Sequence, residues 1–358
     1  MKKFCFLLWL FFVLLVFTNC ERREEFNVGN KLLYWGYYED YNDKLAPYAY
    51  YGFVGGDRFE CKYDNSRSLK ILEIKMFKND MYVLSKDTFP TLGVSKCVLR
   101  KNGKVIYDDM PGGTLYINNK EIRAYSKNLS LAPNDNYKSY YWKDGEYNYL
   151  NLEEPAADVA IYYPVITDIQ QVDGDFYYMG FCPSANGIVA AGWKNEKLLF
   201  NSRDTVKPAG VLPKGMIVDN QNCYWLFVKG RYTVLYKNNE IIHYFGEKEL
   251  MDVDPSLSYV PLGIYKDGDD IYYAIVRSSN TVSQISNKSI MIYKGYEELF
   301  RITGLTQCVQ VKDGTVYTLI NRGNNAVFYE NENAIYSFSI EKIDAIILSC
   351  MKNRAYYI

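Results

Sequence analysis

Two short signals alternate along most of this 358-residue chain, and together they restrict its fold more than any other feature. The first is a tight turn followed by a hydrophobic, tyrosine-bearing strand. It occurs at Asn79, Asp80, Met81, Tyr82, at Asp173 to Tyr177, at Asn222, Cys223, Tyr224, at Asp267 to Tyr272, at Asp313 to Tyr317 and at Asn353 to Tyr356, with Asn119 to Ile122 as a degenerate copy. Positions 82, 122, 177, 224, 272, 317 and 356 mark these copies at intervals of 39 to 55 residues. The second signal follows each of the first six marks: an aromatic or basic strand end, usually a lysine, a tight turn, and another apolar strand. Trp142, Lys143, Asp144, Gly145 is its clearest form. Arg100 to Lys104, Trp193 to Lys197, Tyr236 to Glu240, Tyr293 to Glu297 and Tyr329 to Asn333 are the others.

Asn-Gly and Asp-Gly between apolar strands specify hairpins, because both central residues of a type I′ turn need positive φ. Each signal is therefore a β-hairpin, and two hairpins per unit make four strands. A four-stranded unit of this length matches one blade of a β-propeller, which can cover its two faces only by stacking against neighbouring blades. The predicted fold is all-β, a propeller of seven four-stranded blades, with six or eight also compatible with the spacing. The repeat tyrosines are expected mainly between blades.

The seventh mark, Tyr356, stands two residues from the last position, so the last unit has a first hairpin and lacks a second. Residues 31 to about 62, rich in Tyr and Trp, are strand-like and are expected to supply its outer strands. That pairing of N-terminal strands with the C-terminal blade would close the ring.

Ahead of the repeats, Lys2 and Lys3 precede an apolar run from Phe4 to Phe17, followed by Thr18, Asn19, Cys20 and the charged residues Glu21 to Glu25. The run is too short to span a bilayer and has the anatomy of a secretory signal. Cys20 after such a run resembles the site where bacterial lipoproteins are cleaved and acylated, although Asn19 stands where that family usually has a smaller residue. Arg23, Glu24 and Glu25 resemble the export tag of surface lipoproteins of Bacteroidetes. The aromatic-Lys-Asn/Asp-Gly repeat over residues 66 to 358 is similar in pattern to that of β-propeller-like lipoproteins of gut Bacteroidetes, with departures at Ile122 and Gly295. The resemblance implies a signal peptide at 1–19, lipidation at Cys20, a short tether at 20–30 and one propeller domain at 31–358. It also implies a bacterial cell-envelope location as an outer-membrane lipoprotein, with exposure at the surface allowed, and the membrane as a partner through the lipid anchor.

Charge and composition narrow the chemistry. Lys plus Arg number 41 against 42 Asp plus Glu, so no basic excess favours nucleic acid as a partner. A single histidine, His243, removes multi-His metal sites and leaves triad chemistry hanging on one residue. It follows Ile241 and Ile242 in an outer strand and reads as structural. Asp173 and Asp175, and Asp267, Asp269 and Asp270, alternate like pieces of a calcium loop, but they coincide with repeat turns and lack the required glutamate. The repeat lysines read as solvated turn residues. No metal and no cofactor is expected. After Cys20 the six cysteines 61, 97, 182, 223, 308 and 350 form no CxxC pair and read mostly as small buried hydrophobes. An oxidising compartment would permit one or two bridges among them, with the pairing open.

In a propeller, the connections from second to third strand and from the fourth to the next first strand share the end where ligands usually sit. Here the former are read as Ser85 to Ser95, Tyr125 to Tyr137, Phe181 to Gly187 and Arg277 to Ser286, and the insertion from Asn151 to Pro164 lies on the latter route. The candidate ligand-binding residues are Phe89, Tyr125, Tyr137, Phe181, Arg277 and Tyr162; candidate catalytic residues are not identifiable. The reading is a non-catalytic binding or scaffold module for a protein or glycan. The competing readings are a polysaccharide hydrolase or lyase with a cluster of perturbed carboxylates, and a purely structural envelope component.

Overall fold

The computed structural model describes residues 32–38, 48–53, 58–61, 68–78, 80–89, 94–110, 113–126, 140–153, 164–184, 187–201, 215–219, 222–254, 256–279, 288–322, 325–339 and 349–352. Six four-stranded antiparallel sheets are each built of consecutive strands, spanning 68–110, 113–149, 165–201, 216–245, 257–303 and 305–339, and are called blades 1 to 6. A further four-stranded sheet has the order Ser349–Lys352, Leu32–Tyr38, Tyr48–Phe53, Arg58–Cys61. The first strands of successive blades touch one another, Leu305–Lys312 touches Ser349–Lys352, and Leu32–Tyr38 touches Ser68–Phe77. These contacts close the ring, the last link being made by the second strand of the closing sheet. The chain is the all-β propeller that its repeats predict.

Closure differs from the expectation in one respect. The closing sheet takes one strand from the C-terminal end and three from the N-terminal end, because Leu32–Tyr38 pairs directly with Ser349–Lys352, as in Leu33 with Met351 and Tyr34 with Cys350. It thereby occupies the place of the second strand of a C-terminal hairpin. The expected turn at Asn353 to Tyr356 lies outside the described residues.

Blade 5 shows why these sequences make these strands. Its first strand, Leu257–Asp267, alternates between buried and partly exposed positions. The third, Ser289–Lys294, is buried from Ser289 to Tyr293 because blades cover both of its faces. The outermost, Glu297–Thr303, is largely exposed. Its neighbour-facing residues Tyr259, Ile275 and Met291 pack on Leu226, Leu235 and Phe245 of blade 4. Between blades 3 and 4, Phe200 stacks on Trp225 at 4.6 Å and Trp225 on Tyr236 at 4.2 Å. Gly192 makes room for this stack, since a β-carbon there would come within 2.1 Å of the Phe200 ring.

The two repeat signals are halves of one clasp. In blade 3, Asn195 in the outer turn donates its backbone N–H to Phe176 O and accepts the Phe176 N–H on Oδ1, both at 2.8 Å. Its side-chain amide also donates to Asp175 at 2.6 Å. Asn102 does the same to Met81 and Asp80 in blade 1, and Asn238 to Cys223 and Asn222 in blade 4. Asn331 repeats the two backbone bonds with Val316 in blade 6. The lysine before the turn lies across from the marked tyrosine: Lys101 beside Tyr82, Lys194 beside Tyr177, Lys237 beside Tyr224 and Lys294 beside Tyr272. Each ammonium sits 5.4–5.9 Å from its ring centroid. Lys101, Lys194 and Lys294 also pair with Asp80, Asp175 and Asp270 at 2.7–2.8 Å. The lysines are thus fixed by the second strand and not merely solvated.

Outer strands share a further device. In blades 1, 3, 4, 5 and 6 a bulge two residues after the turn leaves Ile106, Leu199, Ile242, Leu299 and Ile335 without a register partner. An aromatic ring follows each one, as Tyr107, Phe200, His243, Phe300 and Tyr336.

Candidate functional site

Turns between first and second and between third and fourth strands lie at one end of the ring, so the remaining connections lie at the other. At that second end, the connection from blade 4 to blade 5 leaves Phe245, turns at Gly246, forms the short helix Lys248–Val253 and enters the strand Leu257–Asp267. Gly246 has φ 150°, and a β-carbon there would meet Tyr232 at 2.9 Å and Met251 and Tyr259 at 3.2 Å. That tight passage holds Glu247 over the edge of blade 5. Arg231, in the tight turn between the second and third strands of blade 4, donates to the carbonyls of Met251 at 2.9 Å and Asp254 at 3.2 Å. Asp254 in turn accepts from Ser256 Oγ at 2.6 Å and Ser279 Oγ at 3.1 Å.

Three residues on one face of blade 5 converge on Glu247. Tyr259 Oη donates to Oε2 at 2.6 Å, Arg301 Nη2 donates to Oε1 at 3.0 Å, and Arg277 Nε lies 3.7 Å from Oε2, close enough for an ion pair and too far for a hydrogen bond. Register explains the convergence. Tyr259 faces Arg277, Arg277 faces Ser289, and Met291, two residues on from Ser289, faces Arg301, so all point to the same side. Glu298 takes a second, bidentate share of Arg301, with both distances 3.0 Å. Partial burial works to raise the Glu247 pKa, but the hydrogen bonds from Tyr259 and Arg301 and the charges of Arg301 and Arg277 outweigh it and hold the carboxyl below its ordinary value. Burial, followed by the bond to Glu247, pushes the Tyr259 phenol up to about 12. The arrangement is a charge-balanced cleft in which Arg277 and Arg301 face the carboxylates of Glu247 and Glu298, with the neutral Tyr259 phenol bonded to Glu247. Arg277 Nε, which makes no hydrogen bond, is the donor left for an anionic group, and Glu247 stays ionised near neutrality.

The chain is similar to several solved structures. One is the β-propeller domain of the Trilobed protease from Pyrococcus furiosus, with 12% identity over 77% of this chain and 84% of that one and a TM-score of 0.43. Others are an acylaminoacyl peptidase of Pyrococcus horikoshii, at 13% over 74% and 45% with a TM-score of 0.43, and prolyl oligopeptidase B from Galerina marginata, at 10% over 90% and 53% with a TM-score of 0.48. The chain spans about half the length of these two peptidases. No family model matches the chain, and no curated protein matches it.

Of the residues singled out by sequence, Arg277 is brought into this propeller cleft. Tyr125 is not at the surface: it is fully buried between blades 2 and 3, stacked on Tyr141 at 5.3 Å, with its hydroxyl taking a hydrogen bond from Arg123 Nη1 at 3.2 Å. Phe181 is also buried, inside the strand Asp175–Ser184. Both were assigned to loops because the turns alone do not reveal how far a second strand runs. Strands in fact reach Phe89, Ser126, Ser184 and Ser279, which shortens the expected loops. Phe89 ends the strand Asp80–Phe89; its side chain, and Cys20, Tyr137 and Tyr162 entirely, lie outside the described residues. Of the insertion from Asn151 to Pro164, residues 154–163 lie outside the described residues. Glu153 donates its N–H to Glu196 O at 2.9 Å and accepts the Leu198 N–H on Oε2 at 3.0 Å, which seats Glu153 by the outer turn of blade 3.

His243 takes the aromatic place that follows the outer-strand bulge, edge-on to Phe245 and stacked on Tyr296, with both centroids at 4.6 Å. Burial alone lowers its pKa. The acidic turns are clasps: Asp175 and Asp270 hold lysines, and Asp267 accepts the Gly314 N–H of blade 6. Glu247, Tyr259 and Arg301 were missed by sequence reasoning, and only the register of blade 5 could have grouped them.

Proposed function

We propose that this chain is a lipid-anchored β-propeller of the bacterial cell envelope that binds a protein or glycan without transforming it. Its recognition surface is the end of the ring that carries the helix Lys248–Val253 and the Arg277 cleft. The observation that carries this reading is the pair of arginines brought by blade 5 to one side of one glutamate, on a face that backbone register holds rigid. Binding is favoured over polysaccharide cleavage by the direction of ionisation. Among the described residues, the displaced carboxyls of Asp80, Glu121, Asp175, Glu247 and Asp254 are all displaced downward, whereas a glycosidic general acid needs a raised pKa. Export is supported by the signal-like segment at 1–19 and by Cys308, which is disulfide-bonded, as suits an oxidising compartment.

The test uses Cys20→Ser. That chain should move from the membrane to the soluble fraction, since one cysteine would carry the anchor. The same soluble chain, applied to glycan arrays and in pull-downs from envelope extracts, should retain a ligand. Membrane retention unchanged by the substitution would refute the anchor. Turnover of a polysaccharide, abolished by replacing two acidic residues at this end of the ring, would replace binding with catalysis.

A further inference from the structure

We infer that the cleft between blades 4 and 5 is a carboxylate-binding subsite, built by Arg277, Ser289 and Arg301, and that its ligand is an acidic saccharide. The inference rests on the recognition surface proposed above and narrows it to one site and one ligand chemistry. Two buried polar atoms carry it. Arg277 Nε has no hydrogen-bond partner, and neither does Ser289 Oγ, although Ser289 is only 6% exposed. The two residues are direct register partners on adjacent strands and share a face, so their side chains stand within reach of one bound group. Buried donors without acceptors are costly and uncommon, and two of them side by side mark a place shaped for an absent acceptor.

That acceptor is an oxyanion. Arginine offers a planar edge of N–H donors matched to the two oxygens of a carboxylate, and the Ser289 hydroxyl can donate beside it. Within the protein, Glu247 already demonstrates the fit, since its carboxylate takes the bonds from Arg301 and Tyr259 and stops 3.7 Å short of Arg277 Nε. Glu247 is thus an internal competitor for the donors of this subsite. A saccharide is favoured over an acidic peptide because hydroxyls lie beside Arg277 on the same side of blade 5: Ser279 shares its face, and the Ser256 and Ser279 oxygens are 2.7 Å apart. Such groups exchange hydrogen bonds readily with sugar hydroxyls.

Calorimetric titration of the purified full-length chain with oligogalacturonate tests this, with a neutral galactose oligomer, free galacturonate, acetate and a poly-glutamate peptide as comparison ligands. Oligogalacturonate should bind and the neutral oligomer should not. Arg277→Lys, which keeps charge and bulk but loses the planar fork, should weaken binding about tenfold. Ser289→Ala should weaken it by a few-fold, and Glu247→Gln should strengthen it by removing the competing charge. Melting curves identify any variant that fails to fold, and the Glu247→Gln gain cannot arise from misfolding. Unchanged affinity in Arg277→Lys, or weaker binding in Glu247→Gln, overturns the subsite. Binding of poly-glutamate in preference to oligogalacturonate overturns the saccharide assignment. A neutral glycan retained on the array with no anion bound here would leave the recognition module standing and this subsite refuted.

Discussion

Replacing Asn195 tests whether the two repeat signals act as one clasp. Asn195→Ala removes the acceptor of the Phe176 N–H at 2.8 Å and the donor to Asp175 at 2.6 Å, and it leaves alanine at φ 45°. Each lost bond is solvent-accessible and contributes about 1 kcal/mol or less. The left-handed backbone costs an L residue about 1–2 kcal/mol, part of which asparagine offsets by local hydrogen bonding. The sum is about 2–3 kcal/mol. Asn195→Gly loses the same bonds without the strain, so it should cost about 1 kcal/mol less. At about 2–4 °C per kcal/mol for domains somewhat smaller than this one, alanine should lower the melting temperature by about 4–12 °C and glycine by clearly less. Differential scanning calorimetry on the full-length chain reads both. If alanine is no worse than glycine, or if both variants melt with the parent chain, the turn asparagine holds nothing and the clasp is an accident of register.

Other outcomes follow from single features. In blade 1, Arg100 Nη2 pairs with Asp87 at 2.7 Å and Nη1 donates to Ser85, all three residues being buried; Asp87→Ala should therefore cost about 3–5 kcal/mol in urea unfolding, while Asp87→Leu with Arg100→Met should recover most of that. His243 has a folded pKa below 6.5, so the unfolded chain binds the extra proton first; stability should fall as pH drops from 6.5 to the folded value and level off below it, and His243→Phe should flatten that step in pH-dependent melts. Reducing the Cys308 disulfide, or Cys308→Ala, should lower the melting temperature, and each should make the other redundant. Deleting residues 349–358 strips Leu32–Tyr38 of its neighbour, and the truncated chain should show exposed apolar surface by dye binding.

What was legible in the sequence was local. Positive φ at Asn102 and Gly103, at Asp144 and Gly145, and at Asp173 and Gly174 is written into residue types that tolerate it, so the hairpins and the propeller could be read directly. The partner of each turn was not legible, because the lysine and asparagine of one hairpin meet the aspartate and tyrosine of another only once register is known. Bulges hid the outer strands for a related reason. An unpaired Ile106 or Leu199 shifts the alternation by one and conceals that His243 stands in the same place as Tyr107 and Phe200. At the site, Arg277 was picked out as the start of an expected loop, although it lies within the strand Asp270–Ser279. Its companions Glu247 and Arg301 are 30 and 24 residues away and were joined only by the pleat of blade 5.

Those bulges also bear on how copies of the protein can crowd together. A toroid of blades turns its fourth strands outward, each with backbone donors and acceptors that another molecule could extend into a continuous ribbon. A kink at the same step of five rims breaks the straight run of pairing groups that such extension needs. Molecules packed side by side can then collide by their rims without templating one another, so lateral density should be limited by shape and charge and not by fibre growth.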